Sequence, residues 1–288
     1  MAGDPFDDPL RVESTDGVQV AAYDLGGEGP DVICVHATGF CAGVWGPMAA
    51  GLHGHVHALD VRGHGRTALP PGVDMAWTGT ADDVLATLDR LGLRHPVGLG
   101  HSMGGAALLL AEAARPGTFA GLWLFEPIVF PPSFRDSATG GNPLAEGARR
   151  RRPGFSSAAD AVAHYSSKPP LDRLRADALA AYVRHGFEEG PDGSVTLRCR
   201  PEVEAATFEM GPRHDGWSLL GQVRCPVTVL RGGDDTGGPA GLAPRIVEHL
   251  PAGHLEEHPE LGHFGPLEQP DAMADSANAV IRTVTGSA

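Results

Sequence analysis

The chain has few cysteines, no long apolar run and a deficit of positive charge. Its four cysteines, Cys34, Cys41, Cys199 and Cys225, form no Cys-x-x-Cys pair, which disfavours a zinc site and predicts free thiols in a reducing compartment. Since no run approaches about 18 apolar residues, no membrane span is expected. The net charge of −14 disfavours a nucleic-acid partner, which would require a basic surface.

The first eight residues are acidic and lack the apolar core of a secretory signal. Together with the scattered cysteines, this predicts a cytoplasmic protein. The composition leaves the oligomeric state open between monomer and homodimer.

Apolar runs and helical periodicities alternate along most of the chain. Strand-like runs and helix-like runs follow one another at 31–36, 55–60, 80–91, 96–99, 106–114, 121–125, 226–230, 242–250, 254–258 and 271–284, after a hairpin that turns at Asp16-Gly17. This alternation predicts a doubly wound, mostly parallel sheet covered on both faces. The interval 128–217 breaks the alternation and is polar and mostly helical, so we interpret it as a helical cap inserted into a core domain of residues 1–127 and 218–288.

A candidate nucleophile lies between a strand-like run and a helix-like run. The motif Gly100-His101-Ser102-Met103-Gly104-Gly105 has the pattern Gly-x-Ser-x-Gly in a strand–turn–helix context, which is typical of a nucleophile elbow. Gly100 and Gly104 leave space where a Cβ would collide with the strand or the helix. Ser102 is therefore predicted to be a strained, exposed nucleophile above the sheet.

A serine hydroxyl needs a base to take its proton. The chain has 14 histidines, so position must select among them. His263 follows the last predicted strand and is flanked by turn residues, which allows it to reach Ser102 over the strand ends. We predict His263 as the base.

The acid that orients the base has two candidates. The loop after strand 226–230 contains Asp234 and Asp235, and the spacing Gly-x-x-Asp with Pro239 four residues later favours Asp235. Glu126, at the tip of the preceding strand, is the alternative, because a carboxylate there can also reach the base.

An oxyanion hole requires two backbone N–H groups. One is predicted from Met103, at the free end of the helix, and the other from Thr38 in the loop after the first buried strand, with Ala37 next. The segment 60–66 has a predicted structural role, in which Asp60 and Arg62 hold the loop beside the elbow by hydrogen bonds. No metal site is predicted from the histidines at 36, 64 and 101.

Together these motifs resemble the α/β-hydrolase fold superfamily. The resemblance runs from about residue 18 to the last helix, apart from the cap, and it implies an eight-stranded sheet with the cap after the sixth strand. It also implies a Ser102, Asp235 and His263 triad that works without a cofactor.

The function predicted from these residues is serine hydrolysis of a small soluble carboxylic ester through an acyl-enzyme. Ser102 disfavours the subgroups that use an aspartate nucleophile, such as epoxide hydrolases and haloalkane dehalogenases. Cleavage of C–C bonds or lactones and formation of peracids on the same site remain alternatives, as does a non-catalytic ligand receptor. The predicted partner is a small-molecule acyl substrate.

Overall fold

A computed structural model describes residues 3–137, 141–233 and 238–286. The strands are β1 (Leu10–Glu13), β2 (Gln19–Gly26), β3 (Asp31–Val35), β4 (His55–Asp60), β5 (Val97–His101), β6 (Gly121–Phe125), β7 (Gly154–Phe155), β8 (Phe187–Glu189), β9 (Val195–Leu197), β10 (Val227–Arg231) and β11 (Gly253–Glu257). The helices are α1 (Gly46–Ala49), α2 (Trp77–Leu91), α3 (Met103–Ala114), α4 (Pro132–Ser137), α5 (Pro143–Arg149), α6 (Ala158–Ser166), α7 (Ala176–Gly186), α8 (Pro201–Met210), α9 (Gly216–Leu219), α10 (Pro239–His249), α11 (Gly265–Glu268) and α12 (Pro270–Thr285).

Eight of these strands form one sheet in the order β1-β2-β4-β3-β5-β6-β10-β11. Strand β2 pairs antiparallel with both β1 and β4, and the remaining pairs are parallel. The predicted α/β fold with a mostly parallel sheet of eight strands is confirmed. Because the parallel strands point the same way, the loops that follow them meet at one edge of the sheet.

Successive apolar side chains along each strand point to opposite faces of the sheet. On β3, Cys34 belongs to the core that α1 and α12 cover, whereas Ile33 belongs to the core that α2, α3 and α10 cover. Both side chains are fully buried, as a strand covered on two faces requires. The four cysteines are buried free thiols, and burial raises the pKa of Cys34.

The segment between β6 and β10 contains helices α4 to α9, as the polar helical pattern predicts. It also contains a feature that the sequence analysis missed, a small antiparallel sheet in the order β7-β9-β8. These strands have two or three residues each, too short for a periodicity of two to show in the sequence. The domain boundaries at 128 and 217 stay a prediction. No helix of the described residues has the length and apolarity needed to cross a bilayer.

Candidate active site

Ser102 lies in the sharp turn between β5 and α3. Its backbone has φ 56° and ψ −114°, a region that non-glycine residues seldom occupy. Two glycines make this turn possible, since a Cβ on Gly100 would lie 2.7 Å from the Cα of Gly105 and a Cβ on Gly104 would lie 2.1 Å from the carbonyl oxygen of Val35. The turn places Ser102, 8% exposed, above the carboxyl ends of the strands.

His263 lies between β11 and α11, beside the serine. The Ser102 hydroxyl donates to His263 Nε2, with 3.2 Å between oxygen and nitrogen. His101, the residue before the serine, donates from Nε2 to the carbonyl oxygen of His263 at 2.7 Å. Burial and the neighbouring His263 lower the pKa of His101 well below its usual value, so this ring is a neutral donor that holds the backbone of the base.

Glu126 contacts the other nitrogen of His263. The Nδ1–H of His263 donates to Glu126 Oε2 at 2.6 Å, and the Gly232 N–H donates to Oε1 at 2.8 Å. Glu126 is 2% exposed and has a φ of 44°, so the end of β6 bends to aim its carboxylate at the imidazole. The alternative acid of the sequence analysis therefore makes this contact. The favoured one, Asp235, lies outside the described residues.

The two predicted oxyanion donors lie side by side. The Thr38 hydroxyl approaches the sulfur of Met103 at 3.4 Å, which brings the loop after β3 against the start of α3. Neither N–H of these two residues donates to a backbone oxygen among the described residues. Among the described residues both amides thus lack a backbone acceptor, which the predicted role of oxyanion donor requires.

Two buried histidines brace the loop that carries Thr38. His64 Nε2 accepts the Gly39 N–H at 3.0 Å, while His64 Nδ1 donates to the Arg62 carbonyl oxygen. His36 Nδ1 donates to the carbonyl oxygen of Ala37 at 2.8 Å. Burial lowers the pKa of His36 to about 4 and, with the help of His36, that of His64 to about 3. Both rings are therefore neutral at pH 7, and their hydrogen bonds hold the loop that carries Thr38 in place.

Comparison with known proteins decides the family. The family model for the alpha/beta hydrolase family matches residues 32–276. The chain belongs to the alpha/beta hydrolase family. This membership confirms the predicted fold family and the predicted class of enzyme, a hydrolase.

Individual relatives of this hydrolase are distant. A pimeloyl-[acyl-carrier protein] methyl ester esterase of Chromobacterium violaceum is 26% identical over 82% of this chain and 88% of its own. A non-heme chloroperoxidase of Streptomyces lividans is 30% identical over 87% of this chain and 95% of its own. The crystal structure of E-2-(acetamidomethylene)succinate hydrolase superposes with a TM-score of 0.76 at 20% identity, covering 95% of this chain and 98% of that one.

In this hydrolase, Asp60 and Arg62 have the structural role predicted for them. Asp60 accepts hydrogen bonds from the Tyr23 hydroxyl at 2.6 Å and from the Ala42 N–H at 2.7 Å. The buried guanidinium of Arg62 pairs with Asp83 on α2, with 3.0 Å between its Nη2 and the carboxylate Oδ1. These contacts hold the segment after β4 against the β1–β2 hairpin, against Ala42 after the loop that carries Thr38, and against α2.

The segment between β6 and β10 contains a buried charged cluster that the sequence analysis did not find. Arg151 pairs with Glu204 at 2.5 Å and donates to the hydroxyls of Tyr165 and Tyr182. Glu204 lies against the oxyanion loop, because a Cβ on Gly39 would be 2.5 Å from its Oε1. A run of four arginines such as 149–152 is usually a solvated surface, but Arg151 turns inward to Glu204. Nothing in a run of four arginines marks which one turns inward.

Aromatic rings enclose the base. The Phe264 ring lies 5.3 Å from the His263 ring and 5.4 Å from the Phe40 ring, measured between centroids. Phe40 in turn lies 4.9 Å from Tyr182 on α7. These rings form an apolar wall beside the imidazole of His263.

Proposed function

We propose that this protein is a serine hydrolase that cleaves small carboxylic esters, with Ser102 as nucleophile, His263 as base and Glu126 as the acid that orients the base. The observation that carries the proposal is the continuous path of hydrogen bonds from Ser102 Oγ to His263 at 3.2 Å and from His263 to Glu126 at 2.6 Å. A neutral imidazole with its proton on Nδ1 presents Nε2 as the acceptor that an attacking serine needs.

The proposed reaction has two halves. Ser102 Oγ attacks the ester carbonyl carbon as its proton moves to His263 Nε2, and the negative carbonyl oxygen accepts hydrogen bonds from the Thr38 and Met103 amides. Each donor of this kind contributes about 3 kcal/mol to transition-state stabilisation. His263 then protonates the departing alcohol. Water, deprotonated by His263, attacks the acyl-enzyme and releases the carboxylic acid and free Ser102.

Three features support a small ester as substrate. Ser102 is largely covered, and the rings of Phe40 and Phe264 limit the space beside it. The relative from Chromobacterium violaceum is by name a pimeloyl-[acyl-carrier protein] methyl ester esterase, which supports an ester as the bond that is cleaved. The neighbour of known structure is by name a hydrolase of an acetamidomethylene succinate, which is also an acyl compound of low molecular weight.

Peracid formation is the second candidate function, because the relative from Streptomyces lividans is a non-heme chloroperoxidase at 30% identity. In that reaction hydrogen peroxide replaces water as the group that attacks the acyl-enzyme, and the products are a peracid and free Ser102. The first half-reaction and its residues would be unchanged.

The test compares the wild-type protein with Ser102→Ala on p-nitrophenyl acetate and butyrate, with and without hydrogen peroxide. The exposed Ser167→Ala change is the matched control. We expect S102A to lose turnover and fluorophosphonate labelling while it keeps its melting temperature, and S167A to keep all three. Ester turnover retained in S102A would refute the proposal, and tight ligand binding without turnover by the wild type would favour a receptor.

We also propose a cytoplasmic location, since the four cysteines are buried free thiols. Fractionation of the native host with an antibody against the chain measures this, and recovery outside the cytoplasm would contradict it.

A further inference from the structure

A second polar cluster lies at the other edge of the large sheet, away from Ser102. In the strand register, His57 of β4 is opposite Asp24 of β2, and His55 of β4 is opposite Asp31 of β3. Side chains two residues apart on a strand share a face, so His55 and His57 point to the same side. Asp31 and His55 begin their strands, whereas the oxyanion loop follows the far end of β3.

The donor atoms of Asp24, His55 and His57 are close enough to share one ion, and the Asp31 carboxylate lies next to them. His55 Nε2 lies 2.8 Å from Asp24 Oδ1, and His57 Nε2 lies 3.6 Å from Asp31 Oδ1. One atom from each of Asp24, His55 and His57 lies within 4.8 Å of the other two. Nitrogen and oxygen ligands at about 2.0–2.1 Å from a tetrahedral zinc ion are about 3.3 Å apart, so small side-chain rotations suffice.

Within this cluster, His57 gives the strongest indication of a bound ligand. Its side chain is 6% exposed, and neither ring nitrogen has a hydrogen-bond partner among the described residues. Buried polar atoms without partners are rare in native structures, because burial removes water and nothing replaces it. The Nε2 atom faces the carboxylate of Asp31 at a distance too long for a hydrogen bond but suitable for a shared ion.

The surrounding charges match a divalent ion. Asp24 and Asp31 supply two negative charges, and two neutral imidazoles add none, so an ion of charge +2 neutralises the site. Imidazole together with carboxylate is a donor set that zinc and neighbouring transition metals accept. Asp24 is exposed and His55 is partly exposed, which gives the ion a path from solvent.

We propose that Asp24, His55 and His57 form a binding site for a divalent transition-metal ion, zinc in the first place, that links β2 to β4, with the Asp31 carboxylate of β3 beside it. On binding, the ion takes the place of the proton that His55 Nε2 shares with Asp24, and that proton leaves to solvent or to His55 Nδ1. The role is structural, and it is independent of the hydrolytic function proposed above.

The experiment treats the full-length protein with EDTA and then dialyses it against zinc chloride, with bound metal measured by mass spectrometry. Two variants, Asp24→Asn and His55→Gln, remove one ligand each at an exposed and a partly exposed position where the fold is expected to survive. His53→Gln removes an exposed histidine two residues before His55 and is the matched control.

We expect the wild type and H53Q to bind one equivalent of zinc, and D24N and H55Q to bind it at least about tenfold more weakly. Zinc should raise the melting temperature of the wild type and H53Q and leave that of D24N and H55Q unchanged, because a ligand stabilises the fold that binds it. Ester hydrolysis after EDTA treatment should be equal in all four, which separates this proposal from the catalytic one. Equal zinc binding in wild type, D24N and H55Q, or none in the wild type, would overturn the proposal.

Discussion

Replacing Glu126 with glutamine keeps the shape of the side chain and changes one hydrogen bond at the candidate active site. In the wild type, Oε1 accepts the Gly232 N–H at 2.8 Å and Oε2 accepts the His263 Nδ1–H at 2.6 Å. A glutamine has a single accepting oxygen, and the Gly232 N–H holds it. The amide NH2 then faces His263 Nδ1, so the imidazole must move its proton to Nε2, the atom that should accept the proton of Ser102.

The size of the effect follows from this change of tautomer. In a serine protease triad, the same exchange of carboxylate for amide lowers kcat by about 10⁴-fold with the geometry intact. That loss corresponds to about 5.5 kcal/mol at about 1.36 kcal/mol for each tenfold change in rate. We expect E126Q to lower kcat on p-nitrophenyl butyrate by about 10³- to 10⁴-fold and to change KM little, because Glu126 contacts the base and not the substrate.

The assay compares E126Q with Asp235→Asn, which makes the same chemical change in the acid favoured by the sequence analysis. Thermal unfolding of both variants shows whether the fold is intact, and the rate of labelling by a fluorophosphonate reports the reactivity of Ser102 directly. We expect slow labelling in E126Q and wild-type labelling in D235N. Full activity in E126Q with a large loss in D235N would refute the assignment and make Asp235 the acid.

Three further predictions concern stability. Burial lowers the pKa of His64 to about 3 from 6.5, so its contribution to stability is complete above pH 6.5 and is lost as the pH falls, because the unfolded chain then binds the extra proton. At about pH 5 this lowers the free energy of unfolding by about 2 kcal/mol. Urea titrations should show that the free energy of unfolding depends less on pH in H64Q than in the wild type. An equal dependence in the two proteins would contradict the burial argument. Asp83→Ala removes the buried carboxylate that pairs with the Arg62 guanidinium at 3.0 Å and leaves it, among the described residues, only the exposed Asp16 as an ion-pair partner. Chemical denaturation should show a loss of about 3 kcal/mol, and a loss well under about 1 kcal/mol is the contrary result. Gly104→Ala places a Cβ 2.1 Å from a carbonyl oxygen of β3 and should reduce both the melting temperature and the esterase activity. Gly147→Ala in α5, where an added Cβ meets nothing within 4 Å, should leave both unchanged. A G104A variant with wild-type stability and activity would show that the elbow tolerates the extra atom.

Local patterns were enough to predict much of this molecule. The run Val227–Arg231 was found within one residue of its observed start, because a buried parallel strand is a short apolar block with clear boundaries. The helix predicted at 271–284 spans Pro270–Thr285, since its apolar spacing and its flanking proline and glycine mark both ends. The small sheet of β7, β8 and β9 escaped prediction because strands of two or three residues carry too little pattern.

The candidate site likewise has residues that local patterns predict and a residue that they do not. Ser102 and His263 stood out in the sequence because their motifs are local, each bounded by glycines near a strand end. The acid did not, because Glu126 and Asp235 both follow strands that end at the same edge of the sheet. Glu126 acquires its contact from a turn with a positive φ and from the Gly232 N–H just after the neighbouring strand β10, and neither feature has a local signature.

The sequence by itself determined the alternation of strands and helices outside the interval 128–217, the elbow around Ser102 and the membership of a hydrolase-like class, because each depends on residues near one another in the chain. Only the tertiary structure brought Glu126 to His263, turned Arg151 of the run 149–152 inward, and placed Asp24 and Asp31 beside His55 and His57. Those contacts join residues far apart in sequence, and the register of strands in the sheet sets their distances.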